Sequence, residues 1–433
     1  MNIDNRFTAS LHTHVRSIFD AQIDAKVLCE KIKELGGKGC AITDHGVLTS
    51  IEDYRRVFEA EELKMIPGVE LYVDGGILGR LHLILLAKNF LGYKGICKIV
   101  TSSNRTMQGD FPVISQETLF EIVKDYRGNI FALSACMQGV ICATFLLNNA
   151  VDKKIEKLRK KQEKYLSPND PKVKATAEKV DECRQKVALL TEKRDVAKLW
   201  ADKKYTQREK ALKQLFGDEL KAAEQSLEKD KQISQKAKEA LPQKKEELKL
   251  AQKELSAAQK EMKTLSESLE MFGAIEEEIG QVKKELKNEE TLYETAIDTA
   301  LKYQEAFGKG RFLAEVQYHG IPEEKVCFPK LVKVANELRI PLVATNDVHI
   351  LTNSEDDRLR RQILRSLRFG SCFEEESVGD SELYLKDNNE LFEALRQIIS
   401  EEDAEKAIKN IDVVFNACDV VFETGKHYPK FIE

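Results

Sequence analysis

The sequence is short of several features that would have declared its chemistry at once. Its nine cysteines include no C-x-x-C pair, so no disulfide framework of the secreted kind is legible and a reducing cytoplasm is the expected setting. The opening residues MNIDNRFTAS lack the apolar run of a signal peptide. No stretch approaches the roughly 18 to 20 uninterrupted apolar residues of a membrane span, so no membrane partner is expected. No G-x-x-x-x-G-K-[ST] phosphate loop occurs, which excludes a P-loop ATPase. With 68 Lys+Arg against 73 Asp+Glu, the net charge is −5. That excludes a uniformly basic nucleic-acid binder and leaves material for a local cationic patch.

What is present is enough for two or three domains: 433 residues, 42% of them hydrophobic. Composition shifts near Val151, where mixed sequence gives way to a Lys/Glu/Gln/Ala-rich segment reaching to about Tyr293. Val173, Thr176, Val180, Cys183, Val187 and Leu190 recur in alternating steps of three and four, as do Leu248, Ala251, Leu255, Ala258, Met262 and Leu265. Both series are heptad seams. Breakers fall at Ser167-Pro168-Asn169-Asp170-Pro171, Gly217-Asp218, Pro242 and Gly273. The expectation is an inserted coiled-coil hairpin over residues 151–293, with its tip near Gly217 and its arms interrupted at the prolines.

Outside the insertion, short apolar runs alternate with helix-like segments, the pattern of parallel strands joined by crossover helices. The candidate strands are ASLHTH, GCAITDH, KMIPGVELYV, RLHLILLA, NIFALSAC, RFLAEVQYH and PLVATNDVHI. Seven strands with helices between them predict an α/β fold, a distorted seven-stranded (β/α) TIM-like barrel. Residues 1–150 would form its first part, and 294–433 its second part with a C-terminal helical extension. Functional groups in such a fold gather at one end of the strands. Of only seven histidines, six lie in or directly after these strands: His12, His14, His45, His82, His319 and His349. Acids interrupt the same apolar runs, at Asp44, Glu70 and Asp347. A charged group at a buried strand end needs a partner, and acids clustered with neutral imidazoles find it in a divalent metal. In H-x-H, His12 and His14 share one side of an extended strand, and Asp347 with His349 repeat the spacing.

The segments LHTHVRSIFDA, KGCAITDHG, MIPGVELYV, HLILLAKNFLGY, NIFALSACMQGVI, FLAEVQYHGIPEEK and PLVATNDVHIL resemble the PHP (polymerase and histidinol phosphatase) family. Within it they are most similar to the N-terminal domain of bacterial DNA polymerase III alpha subunits, and the likeness continues through SELYLKDNNELFEAL to HYPKF. The resemblance implies the PHP fold and a trinuclear site on His12, His14, Asp20, His45, Glu70, His82, Cys136, Asp347 and His349. It puts His12, His14 and Asp347 on one ion, and His82 and Cys136 on a second with Glu70 bridging. Asp20, His45 and His349 take the third. The His14-to-Asp20 interval is one residue shorter than is usual in the polymerase branch, and the coiled insertion has no counterpart there.

The implied activity is metal-dependent hydrolysis of phosphate esters with three divalent ions. Imidazole and thiolate donors suit zinc, and the carboxylates suit manganese or iron. Glu70 and His319 are the catalytic candidates, and Arg16 and His319 the candidates for holding substrate phosphate. Resemblance to the polymerase branch implies a 3′–5′ exonuclease acting on single-stranded DNA ends, of proofreading or repair type. No polymerase palm or fingers are expected within these residues. The alternatives are a phosphatase of small phosphate monoesters and an assembly module whose coiled arm recruits a protein partner.

Overall fold

The computed structural model describes residues 7–16, 21–369 and 382–422. Asp20 and the HYPKF segment lie outside the described residues. In chain order the elements are β1 (Ala9–Ser10), α1 (Ala25–Glu34), β2 (Gly39–Ile42), α2 (Ile51–Ala60), β3 (Lys64–Asp74), β4 (Arg80–Ala87), α3 (Phe90–Ser103), β5 (Met107–Gln108), β6 (Phe111–Ile114), α4 (Gln116–Lys124), β7 (Ile130–Leu133), α5 (Cys142–Phe145) and α6 (Leu147–Gln162). There follow α7 (Pro171–Ala201), α8 (Thr206–Leu212), α9 (Gly217–Lys283), α10 (Glu289–Phe307), β8 (Phe312–Val316), α11 (Glu324–Leu338), β9 (Leu342–Ala344), α12 (Glu355–Phe369), α13 (Asn388–Leu395) and α14 (Glu401–Ala417). They divide into two compact units, one of residues up to Asp152 and from Glu285 onward, the other Lys153–Lys284.

The first unit is an α/β structure around a curled sheet in the order β1-β2-β3-β4-β7-β8-β9, with the small β5–β6 hairpin beside β3. Each of the seven apolar runs contributes a strand. The expectation of uniformly parallel strands fails at β4, which runs antiparallel to both β3 and β7. The cause is local: β3 and β4 are joined by a tight turn closed by Gly75 N–H donating to Gly79 O at 2.8 Å. A parallel pair would need a crossover connection of about a dozen residues or more. The reversal keeps the chemistry on one edge, because His82 stands at the start of β4 and so meets the far ends of its antiparallel neighbours. At that edge the segments after β1 and β9 also meet, in an isolated parallel bridge of Thr13 with Val348.

Packing follows helical amphipathicity. Helix α14 buries Ala404, Ala407, Ile408, Ile411, Val414 and Phe415, the three-and-four spacing of one helix face. It joins α3, α10 and α11 over the core of β3, β4 and β7–β9. A smaller cluster lies between β2 and helices α1 and α2, built on Leu28, Ile32, Tyr54 and Phe58. Burying such a side chain stabilises by about 1.5–3 kcal/mol each, so the two clusters hold the strand ends where the polar groups sit.

In the second unit α7 and α9 pack side by side and antiparallel: Leu166 N–H meets Ser268 Oγ at 2.9 Å, Lys186 pairs with Glu254 at 2.8 Å, and Ser234 Oγ donates to Trp200 O at 2.9 Å. Val173, Thr176 and Val180 are buried on α7, as are Leu248, Ala251, Ala258 and Leu265 on α9. The break at 167–171 is present, with Asp170 capping α7 and Pro171 in its first turn. The reversal occupies residues 202–216, and Gly217, at φ 65°, opens the return helix. The expected breaks at Pro242 and Gly273 do not occur, since both lie inside the 67-residue α9. A proline costs a helix interior one hydrogen bond and some crowding, and α9 runs on through the exposed Pro242.

Candidate metal centre

The polar groups at the sheet's open edge are buried or, at His45, His82, Cys136 and Asp347, partly buried. His12 and His14 are 0% exposed, Glu70 1% and His349 5%. The two-residue period after β1 turns His12 and His14 the same way, so their Nε2 atoms stand 3.1 Å apart and 3.1 and 3.2 Å from Asp347 Oδ1. From β3, Glu70 Oε2 lies 3.2 Å from His14 Nε2 and 2.7 Å from His45 Nδ1, while Oε1 lies 2.6 Å from His82 Nδ1. Cys136 Sγ, just past β7, is 3.7 Å from that same His82 nitrogen. His14 stacks between His45 and His349, with ring centroids 4.2 and 4.3 Å away.

These donors fall into three overlapping groups: His12, His14, Glu70 and Asp347; Glu70, His82 and Cys136; and His14, His45 and His349. Within each group the ligand atoms lie within 4.8 Å of one another. Both carboxylate oxygens of Glu70 and Oδ1 of Asp347 are buried without a hydrogen bond, an arrangement that favours cations between them and the imidazoles. The donor set therefore fits divalent metal. Electrostatics agree. Burial alone would raise the Glu70 carboxyl, yet His82 and His45 hold it well below the usual range, and His12 and His349 do the same for Asp347. Burial would lower His12, but Asp347 and Glu315 outweigh it and raise this imidazole well above its ordinary value.

Residues 10–171 match the PHP domain. Over this region the chain is 32% identical across 161 residues to the DNA polymerase III subunit alpha of Helicobacter pylori, covering 35% of this chain and 13% of that protein. It is 32% identical across 139 residues to the Campylobacter jejuni subunit, 30% of this chain and 11% of that one, and 31% identical across 171 residues to the Borreliella burgdorferi subunit, 36% and 14%. The matched stretch thus spans only 11% to 14% of these relatives' length. A solved structure described as a putative metal-dependent phosphoesterase from Bifidobacterium adolescentis covers 33% of this chain and 50% of that chain, at 19% identity and a TM-score of 0.19. At so low a TM-score the likeness adds nothing about fold or chemistry.

The PHP domain match ends before β8 and β9, yet those strands supply part of the cluster and its support. Glu315 on β8 is 0% exposed. Its Oε1 lies 2.7 Å from His12 Nδ1 and accepts from Thr345 Oγ1 at 2.5 Å, and its Oε2 accepts from Ala135 N–H at 2.9 Å. A carboxylate behind a histidine fixes the ring's tautomer and orientation. Sequence reasoning passed over Glu315, although the sign that singled out Glu70, an acid inside an apolar run, was there in RFLAEVQYH. Asp44 is likewise a supporting group: its Oδ1 accepts from Val15 and Arg16 N–H at 2.8 and 3.1 Å, and its Oδ2 from Ser50 Oγ at 2.5 Å, tying down the loop after His14.

The two expected substrate groups have different surroundings. His319 is 4% exposed, with Nδ1 2.7 Å from Glu324 Oε1 and Nε2 3.1 Å from the Asn346 carbonyl. With both ring nitrogens engaged, it has no edge left for phosphate or for protonating a leaving oxygen. It braces the residue preceding Asp347, whose backbone stands at the left-handed φ of 47°. Arg16 is half exposed, pairs with Asp53 at 2.6 Å and lies over the Tyr54 ring. It lines a cleft of about 1150 Å³ together with His349, Arg360 and Arg361.

Proposed function

We propose that this chain is a metal-dependent phosphoesterase with a trinuclear PHP-type site, acting on the 3′ ends of single-stranded DNA as a 3′–5′ exonuclease. The observation that carries the reading is the overlap of the three donor groups through His14 and Glu70. Ions held by groups with shared ligands are neighbours, the arrangement that phosphoryl chemistry uses. His12, His14, His45, Glu70, His82, Cys136, Asp347 and His349 would be the ligands, with Asp20 as the ninth. Mixed imidazole, thiolate and carboxylate donors admit zinc, manganese or iron.

Divalent ions at such a centre lower the pKa of bound water and offset the charge that builds on phosphoryl oxygens. The protein's own part is orientation and exclusion of water. Glu70, common to two donor groups, fixes their separation, and Glu315 and Thr345 hold the His12 ring. Arg16, whose exposed ion pair with Asp53 is screened by solvent, would exchange Asp53 for a substrate phosphate in the cleft. The DNA substrate is favoured because the curated relatives are DNA polymerase III alpha subunits and because the 1150 Å³ cleft beside His349 exceeds what a small monoester fills. The Lys153–Lys284 unit would then be an arm that recruits a protein partner or steadies DNA.

The test is an assay of the manganese- or zinc-loaded protein on 3′-labelled single-stranded DNA beside p-nitrophenyl phosphate, with an Asp347→Ala, His349→Ala double variant as control. Variant-sensitive loss of the 3′ nucleotide is expected. Cleavage of the monoester alone would make the chain a small-molecule phosphatase. Metal binding with neither activity would leave the assembly module.

A further inference from the structure

Arg80 opens β4 two residues before His82, so the two-residue period of the strand sets both side chains on one face. Across β3 the register pairs Glu70 with Ile84, Tyr72 with His82, and Asp74 with Arg80. Outward from the metal centre this face therefore reads Glu70, then the Tyr72–His82 rung, then Arg80. The Arg80 guanidinium carbon lies 3.8 Å from the centroid of the Phe111 ring and 6.0 Å from that of Tyr72. Phe111 meets Tyr72 edge-on at 5.6 Å, and Tyr72 is in turn 5.2 Å from His82 and 5.6 Å from His45, nearly parallel to the latter. A continuous aromatic ledge thus joins an exposed arginine to two of the proposed metal ligands.

Two features give that arginine a use. Phe111 is carried by the β5–β6 hairpin, which is itself paired to β3 through Tyr72 and Val113, so the platform under the guanidinium is fixed. Asp74, the carboxylate across the strand pair, accepts the Gly76 N–H at 2.9 Å, and Arg80 makes no ion pair among the described residues. A stacked guanidinium keeps its plane set while its N–H edges stay available, the form in which arginine grips phosphate oxygens in a fork. From His82 to Arg80 is about 7 Å along the strand at the usual rise per residue. A phosphate monoester ends at the metals and has nothing to place there, whereas a polynucleotide has its next phosphodiester group at that scale.

We propose that Arg80, held on Phe111, binds the phosphodiester adjacent to the one at the metal centre, which makes a nucleic-acid strand the ligand of this site. The inference rests on the phosphoesterase reading above, and its test separates the two. The probe is a 5′-fluorescein oligothymidylate with phosphorothioate linkages, titrated by anisotropy against the full chain loaded with manganese, alongside metal content per chain. Arg80→Ala is expected to weaken binding roughly tenfold or more, the worth of one charge-assisted contact. It should also flatten the dependence of log affinity on log salt by about 0.7, with metal content at the wild-type value. Arg80→Lys restores little, because a point charge does not stack, and Phe111→Ala gives an intermediate loss. Wild-type affinity in Arg80→Ala overturns the proposal, and so does a wild-type protein that does not bind the oligonucleotide. An equal loss for p-nitrophenyl phosphate, read from its KM, also overturns it, since Arg80 would then serve the metal centre itself. Arg80-dependent binding in a protein that hydrolyses neither unmodified 3′-labelled single-stranded DNA nor p-nitrophenyl phosphate would refute the phosphoesterase reading and leave this inference standing.

Discussion

Replacing Glu315 tests whether the centre is organised from behind. In Glu315→Ala three donors lose their acceptor at once: His12 Nδ1 at 2.7 Å, Thr345 Oγ1 at 2.5 Å and Ala135 N–H at 2.9 Å. The pocket has no solvent exposure, so each unsatisfied donor costs about 1–3 kcal/mol. The sum, on the order of 3–9 kcal/mol, compares with about 5–15 kcal/mol for the stability of a whole domain. The alanine variant is therefore expected to unfold or to be barely folded. Glu315→Gln is more informative, because it keeps the side chain's length and one acceptor oxygen while turning an amide N–H toward a donor. It should lose about 1.5–3 kcal/mol, one charge-assisted hydrogen bond, and lower metal affinity by about 10- to 100-fold through a loosened His12 ring. A chelator-competition titration gives affinity and stoichiometry, and thermal unfolding with and without metal gives the stability change. Wild-type affinity together with an unchanged melting temperature in Glu315→Gln would refute the reasoning, for the carboxylate would then be neither holding His12 nor supporting the fold.

Three further outcomes are expected. Replacing residues 153–284 by a short Gly/Ser linker should leave the first unit folded with its full metal content while slowing removal of 3′ nucleotides. The neck survives the cut, because Asn148 and Lys287 exchange side-chain-to-backbone hydrogen bonds of 2.8 and 3.1 Å; equal rates on DNA with and without the arm would sink its proposed role. Gly139→Ala forces a Cβ to within 1.8 Å of Ser134 O and 2.8 Å of Cys136 O, so the turn holding Cys136 beside His82 must open. Metal analysis should show the ion at Glu70, His82 and Cys136 weakened or missing, with the circular dichroism spectrum retained, and full metal content would contradict this. Pro242→Ala should stabilise α9 by up to about 3 kcal/mol, seen as a higher melting temperature for the helical signal. No change would mean that packing on α7 already compensates fully for the missing N–H.

The sequence by itself determined where the strands would lie and which polar residues interrupt them. Burial demands apolar runs, a two-residue period is visible in H-x-H and D-x-H, and an acid inside an apolar strand is conspicuous at Glu70. The Lys/Glu/Gln-rich segment likewise announced long helices of its own. Direction and partnership were not legible, because they depend on contacts between segments far apart in the chain. The tight turn at 75–79 reversed β4 and still delivered His82 to the common edge. Glu315 looks like Glu70 in sequence, and only its position behind His12 makes it a support. His319 reads as a catalytic or phosphate-binding candidate, yet Glu324 and the Asn346 carbonyl engage both its nitrogens. Pro242 reads as a breaker, yet α9, packed along α7, runs through it. Local pattern states what a residue is able to do, and tertiary structure, by choosing its neighbours, decides which of those capacities is used.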